Sequence, residues 1–228
     1  MAINTERAVY SQPVLPTLHG IPERRCSNGG VSLGSNSLEV VKEILRLRPE
    51  ISSGIGLMIY DGNNSISEPS CTTLKNNKLE FVGNEKLSLA SILLTADMIN
   101  RVPGVWAEKK DWKIAVTSKV ISGLGWQHIP MMDFKCSTDL YNLESVIKTV
   151  ENFATQGGYV LETQGGYHFY GRDLYDIATW ENYIGTMARN NLVNPNYIEF
   201  CRKQGLTALR IDNQGINSPK VVKIFDPS

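Results

Sequence analysis

The chain has 228 residues, of which 42% are hydrophobic and 20% are charged, a composition typical of a globular protein with a sizeable core. Its 23 Lys and Arg residues balance 23 Asp and Glu residues, which excludes the strong overall positive charge of a non-specific nucleic-acid-binding protein. The four cysteines form no C-x-x-C pair, and no apolar run reaches the roughly 18 residues of a membrane-spanning helix. Because the first residues also lack the apolar core of a signal peptide, we expect a cytoplasmic protein with no membrane partner.

The N-terminal part of the chain divides into an arm and a small folded portion. Residues 1–35 are rich in Pro, Gly, Ser and Asn, which predicts an extended arm. Residues 36–110 are predicted to form an N-terminal α/β portion. It begins with a helix over 37–48 that Asn36 or Ser37 caps.

Two strands and a second helix complete this N-terminal portion. Short apolar segments predict strands over 55–60 and 78–82. A helix is predicted to begin at Ser88, because apolar residues follow it at helical spacing. These apolar residues are Leu89, Ile92, Leu93, Ala96 and Ile99.

Residues 111–228 have a more regular pattern, which opens with an alternating strand over 112–117. The elements that follow are a strand over 129–134, a helix over 142–155, strands over 159–162 and 167–170, helices beginning at Asp176 and Asn194, and strands over 207–211 and 220–225. The segment 164–166, Gln-Gly-Gly, is predicted to turn the hairpin between the middle two strands. This order favours an α/β (α+β) fold, in which a two-layer, mostly antiparallel sheet carries helices on one face. The second face of such a sheet can be open and polar.

Polar side chains of three strands fall on the side opposite their apolar neighbours. Side chains alternate along a strand, so residues two apart share a face. The polar side carries Asp133, Lys135, His168, Tyr170, Arg210 and Asp212. The alternation shows that these residues can share one surface, but it does not show that their strands are neighbours.

The residue types on this side suit a metal-assisted phosphate site. Carboxylates at strand ends bind hard cations such as Mg²⁺ or Mn²⁺, which makes Asp133 and Asp212 candidate metal ligands. Cationic and imidazole side chains beside a Gly-rich backbone bind phosphate oxygens. The candidate nucleotide- or phosphate-binding residues are Lys135, Gly165, Gly166, His168, Tyr170 and Arg210. Tyr170 is the candidate for stacking on a base.

Ordinary structural roles stay open for several of these residues. The stretch 165–168 also fits a plain hairpin turn beside a hydrogen-bonded histidine, and Asp133 and Asp212 also fit solvated strand-end carboxylates. His128, before an apolar strand, is interpreted as structural. The tryptophans are interpreted as packing residues rather than base-stacking platforms; they are Trp106, Trp112, Trp126 and Trp180.

Three segments in this order resemble the archaeo-eukaryotic primase superfamily, especially its primase-polymerase-like branch. They are Ile129–Lys135, Gly165–Tyr170, and Ala208–Asp212 with the following 217–220 loop. The resemblance covers about residues 110–228 and implies a primase-polymerase-like module over 111–228. It implies metal-dependent nucleotidyl transfer from nucleoside triphosphates on a single-stranded or primer-template nucleic acid.

The resemblance also implies roles for individual residues. Asp133, His168 and Asp212 would be catalytic, with Asp133 and Asp212 holding Mg²⁺ or Mn²⁺. His168 would contact the triphosphate, and Arg210 would contact phosphate or nucleotide. Lys135 stands at the family's second acidic position, where an ammonium group repels a cation, and Gly166 stands where the family usually has serine.

Two alternatives stay open, and Lys135 is the feature that most favours the first of them over the transferase. One is a relative that binds nucleotide or nucleic acid without catalysis, with a degenerate metal site. The other is an interaction module whose open sheet face docks a protein partner.

Overall fold

The structure is a computed structural model that describes residues 30–61, 72–75, 78–81, 92–94, 112–211 and 218–228. Most of the predicted arm, residues 1–29, therefore lies outside the described residues, as does Asp212. Among the described helices, none has both the length and the apolar character needed to cross a membrane.

Helix α1, Ser37–Leu47, begins the described N-terminal portion as predicted. Asn36 caps it through a reciprocal pair of hydrogen bonds. The Glu39 backbone N–H donates to Asn36 Oδ1 at 3.1 Å, and the Asn36 N–H donates to the Glu39 carboxylate at 2.8 Å. This capping box satisfies two N–H groups at the start of the helix, where no helical partner exists.

The N-terminal strands are β1 (Ile51–Asp61), β2 (Thr72–Lys75), β3 (Lys78–Phe81) and β4 (Ile92–Leu94). The helix predicted from Ser88 is wrong where it is described, because β4 pairs antiparallel with β1 and places Leu94 opposite Ile55. The apolar residues at helical spacing also suit a short buried strand. Pairing with β1, more than thirty residues earlier in the chain, decides between a helix and a strand here. The periodicity of the sequence contains no information about that pairing.

The described elements from residue 112 onward include those predicted, in the predicted order, together with one short strand over 125–128 that was not predicted. They are β5 (Trp112–Ser122), β6 (Gly125–His128), β7 (Met131–Phe134), α2 (Leu140–Val150), β8 (Gly158–Thr163), β9 (Gly166–Gly171), α3 (Ile177–Met187), α4 (Pro195–Gln204), β10 (Ala208–Arg210) and β11 (Lys220–Phe225). A single 3-10 turn, Glu151–Phe153, extends α2. The predicted α+β fold class is confirmed.

The described strands form two main antiparallel sheets and one small hairpin. The four-stranded sheet has the order β11-β8-β9-β7, and the five-stranded sheet has the order β10-β5-β1-β4 with β6 paired to β5. Strands β2 and β3 pair with each other. Strand β10 therefore lies in a different sheet from β7 and β9, and the five-stranded sheet combines strands from both predicted portions of the chain.

One face of the four-stranded sheet packs against the helices of the second half. Met132, Phe134, Val160 and Phe169 point into this layer, where they meet buried residues of α2, α3 and α4. This arrangement confirms the prediction of helices on one face.

The opposite face of the four-stranded sheet is largely covered rather than open. Met131, Leu161 and Tyr170 on this face share a buried core with α1 and with Val116 and Val120 of β5. Polar residues on this face must therefore lie at its margin or be buried.

Candidate functional site

Asp133 and His168 face each other across two paired strands. Strands β7 and β9 are antiparallel neighbours, and their register places Asp133 directly opposite His168. Directly opposed residues of such a pair share a face of the sheet. His168 Nε2 lies 3.6 Å from Asp133 Oδ1. The side chain of Asp133 is 40% exposed and that of His168 only 9%, so the imidazole is buried behind a carboxylate that reaches solvent.

The surroundings of His168 favour the neutral form of its ring. Burial lowers the pKa of His168 below its usual value, Asp133 raises it in part, and Arg210 lowers it further. A neutral imidazole has one N–H donor and one acceptor nitrogen. His168 Nδ1 has no hydrogen-bond partner among the described residues. The ring can therefore accept or donate a single hydrogen bond at Nε2 without carrying charge.

Arg210 reaches this region from the other sheet. Strand β10 pairs with β5 and also lies against β7. Arg210 is exposed at the end of β10, and its guanidinium is near enough to influence the pKa of His168. The junction of the two sheets thus brings together a half-exposed carboxylate, a buried neutral imidazole and an exposed cation.

A comparison with models of known protein families identifies the family of this chain. Residues 93–223, more than half of the chain, match the family model described as AEP-like, archaeo-eukaryotic primase 1D-like. The chain belongs to this primase-like family. Comparisons with curated proteins and with solved structures gave no match. The resemblance inferred from the segments around Asp133, His168 and Arg210 is therefore confirmed at the level of the family.

The two glycines of the primase-like histidine hairpin have different surroundings. Gly165 is exposed, an added Cβ there would have no atom within 4 Å, and its N–H donates to Thr163 Oγ1 at 3.2 Å. Gly166 has a φ of +146° and packs on the end of β7. A Cβ there would overlap the Phe134 carbonyl oxygen and lie 3.0 Å from Cys136 N. At Gly166, the close approach that glycine permits is made by this chain's own backbone.

The remaining predicted site residues of this family member lie in contrasting places. Lys135 is exposed one residue after β7, where its backbone N–H donates to the Leu192 carbonyl at 2.8 Å. Tyr170 is fully buried between the two sheets, and burial raises the pKa of its hydroxyl. Its ring has no free face for a base in this arrangement. Asp212 lies outside the described residues.

The described part of the chain contains no group of three or more His, Cys, Asp and Glu side chains that could hold a metal ion. One carboxylate still fits a cation that is shared with substrate phosphates, because Mg²⁺ is commonly held by one or two carboxylates plus phosphate oxygens. The half-exposed Asp133 carboxylate meets this requirement. Two adjacent metal ions do not fit the described residues.

Helix α4 supplies neighbours of Asp133 that the sequence did not reveal. Burial raises the pKa of Tyr197 and Cys201, and the negative charge of Asp133 raises both further. The Tyr197 hydroxyl donates to the Ala208 carbonyl at 3.0 Å, which ties α4 to β10. These residues lie on the apolar side of an amphipathic helix, so the sequence pattern gives only a packing role.

His128 is a structural histidine, as interpreted from the sequence. Its Nδ1 lies 3.1 Å from Ser118 Oγ, and its ring stacks on Trp180 at a centroid distance of 4.6 Å. Burial, and to a smaller extent the charge of Lys119, lower its pKa to about 4. Ser118 Oγ also accepts the Thr207 N–H at 3.0 Å, so this buried pair connects β5, β6 and the start of β10.

Proposed function

We propose that this chain is a metal-dependent nucleotidyltransferase that uses nucleoside triphosphates on a nucleic-acid substrate. The observation that carries the proposal is the apposition of Asp133 and His168 on paired strands, 3.6 Å apart, at the junction with Arg210. Membership of the primase-like family supports the same class of reaction.

Each group at the junction has a role that follows from its chemistry. The half-exposed Asp133 would hold Mg²⁺ or Mn²⁺, which neutralises charge on the phosphates when bound. His168 would hydrogen-bond a phosphate oxygen through Nε2, and its buried ring would keep that donor in a fixed direction. Arg210 and Lys135, both exposed cations, would bind further phosphate oxygens. Asp212 is the second carboxylate that the sequence offers for the cation.

A second candidate function is triphosphate binding without transfer. Lys135 favours it, because this exposed residue lies two positions after Asp133 and, by the resemblance, supplies a positive charge where the family has an acid. An ammonium group at that position would bind phosphate but would repel a second cation.

Calorimetric titration with a nucleoside triphosphate and Mg²⁺ or Mn²⁺ tests both candidates. We expect binding by the wild type, loss of its metal dependence in Asp133→Asn, and roughly tenfold weaker binding in His168→Ala, the effect of one lost charge-assisted hydrogen bond. Glu181→Gln is the matched control, because Glu181 is an exposed carboxylate on α3. Absence of triphosphate binding with either metal would refute both candidates.

Primer extension separates transfer from binding. Extension by the wild type that is lost in Asp133→Asn supports the transferase, whereas binding without extension supports the second candidate. Lys135→Asp restores an acid at an exposed position and is therefore expected to fold. If Lys135 limits the metal site, this variant extends a primer faster than the wild type. If extension is equal or slower, the lysine is not the limiting feature.

A further inference from the structure

The hairpin of β5 and β6 presents large apolar side chains to solvent. Leu124 at its tip is 89% exposed and Trp126 is 53% exposed. The interpretation of Trp126 as a packing residue is therefore wrong, whereas Trp180 is buried as expected. Residues 119–128 are named the Trp126 hairpin below. An indole held in solvent at the end of a sheet has no role in the core described above.

The tip of the Trp126 hairpin is held in one conformation. Ser122 Oγ donates to Gln127 Oε1 at 2.5 Å and accepts the Leu124 N–H at 3.1 Å. Gly125 supplies the positive φ of +98° that the turn needs. The exposed side chains are thus displayed on a braced hairpin, which lowers the entropy that binding would cost.

Within the Trp126 hairpin itself, Lys119 is the one Lys, Arg, Asp or Glu residue. The Lys119 ammonium lies over the indole ring, 4.6 Å from its centroid. The sequence from Trp112 to Met132 contains no Asp or Glu, although the whole chain is neutral. His128 in this segment is neutral near pH 7, because burial lowers its pKa to about 4. The hairpin is therefore locally positive.

We propose that the Trp126 hairpin binds single-stranded nucleic acid. A base stacks on the indole of Trp126, and the Lys119 ammonium contacts a phosphate of the same strand. Exposed aromatic rings beside cations bind single strands in this way, because every base has a stacking face and every nucleotide a negative charge. Absence of acidic residues over the whole segment favours a polyanion over a protein partner. The inference rests on the proposed function, since it names the surface that holds the nucleic-acid substrate.

The same sheet connects this surface to the candidate site. Strand β5 pairs with β6 on one stretch and with β10 on another, and β10 carries Arg210. A nucleic-acid strand bound at Trp126 would therefore contact the same sheet that carries Arg210, the cation near Asp133 and His168.

Fluorescence anisotropy of the full chain with labelled 12-nucleotide DNA and RNA single strands tests the proposal. Stacking on one aromatic residue is worth a roughly 5- to 150-fold change in affinity, so Trp126→Ala should weaken binding within that range and Trp126→Phe much less. Lys119→Gln should reduce the slope of log affinity against log salt by about 0.7. Leu124→Ala is the control for a general loss of apolar surface.

Two outcomes overturn the proposal. One is affinity of Trp126→Ala within twofold of the wild type while its circular dichroism is unchanged. The other is equal weakening by Leu124→Ala and Trp126→Ala with no salt dependence, which excludes both stacking on Trp126 and a phosphate contact of Lys119. Triphosphate calorimetry on the same variants separates this result from the proposed function. Triphosphate binding without any single-strand binding refutes the Trp126 surface alone, and single-strand binding that depends on Trp126 without triphosphate binding refutes the proposed function alone.

Discussion

Replacement of Gly166 tests how closely β7 and β9 approach at the candidate site. In Gly166→Ala, the φ of +146° is a conformation essentially restricted to glycine, at a cost of about 1–3 kcal/mol. The new Cβ would also overlap the Phe134 carbonyl oxygen, so β7 must move away from β9. We expect a total loss of roughly 3–5 kcal/mol in the free energy of unfolding, in the upper range for single substitutions. Thermal unfolding should show a Tm roughly 6–20 °C lower.

The adjacent glycine provides the control for this experiment. Gly165 has no atom near its hypothetical Cβ and no positive φ, so Gly165→Ala should change the unfolding free energy by less than about 0.5 kcal/mol. Gly166→Ser, which introduces the residue usual in the family, should destabilise at least as much as Gly166→Ala. If Gly166→Ala and Gly165→Ala unfold at the same temperature, β7 does not lie against Gly166 as described.

Three further predictions concern titration and capping. In NMR titrations, Asp133→Asn should lower the pKa of His168 and Arg210→Gln should raise it, because the carboxylate favours and the guanidinium opposes protonation; an unchanged pKa of His168 in both variants would contradict the proximity of the three groups. His128 has a pKa of about 4 when folded and an ordinary value of 6.5, so the unfolded chain binds more protons between these values. Stability should fall by roughly 3 kcal/mol as the pH drops from 6.5 to 4, and denaturant midpoints of His128→Gln should lack this part of the decline. Asn36→Ala removes the capping box and should cost about 1 kcal/mol in chemical denaturation; an unchanged midpoint would contradict that role.

The elements that the sequence predicted well are those whose determinants lie within a few residues. Asp176 and Asn194 cap α3 and α4 by accepting backbone N–H groups of Thr179 and Asn196, and Gly205 ends α4 with a φ of +63°. Each of these signals is a short-range contact between a side chain or a glycine and the adjacent backbone. Tertiary packing therefore has little effect on where these helices begin and end.

The partner of β10 could not be predicted, because nothing local specifies it. Alternation along the strand correctly separates Leu209, which is buried, from Arg210, which is exposed. The same alternation is satisfied whether β10 extends the sheet of His168 or pairs with β5. Only the second arrangement occurs, and it brings Arg210 to the site across a junction between two sheets.

Burial of the candidate face was hidden for the same reason. His168 and Tyr170 share a side of β9, yet one lies beside a half-exposed carboxylate and the other lies deep in a core. The difference depends on which part of the face the five-stranded sheet and α1 cover. A sequence pattern assigns residues to a face, but the extent of cover is decided by elements far away in the chain.

Lys135 and Gly166, the two departures inferred from the resemblance, lie next to each other in the structure. By the resemblance inferred from the sequence, Lys135 after β7 stands at the family's second acidic position, and Gly166 at the start of β9 stands where serine is usual. The backbone atoms that a Cβ at Gly166 would meet are those of Phe134 and Cys136, the two neighbours of Lys135. The end of β7, next to Lys135, therefore lies closer to β9 than a residue with a Cβ at position 166 would permit. The Lys135→Asp substitution leaves that close backbone contact intact. The Gly166→Ser substitution, in contrast, must displace the end of β7 and, with it, Asp133. Lys135 can thus be replaced to test metal binding without moving the backbone. Gly166 cannot, because the observed position of the Asp133 carboxylate depends on the absence of a Cβ there.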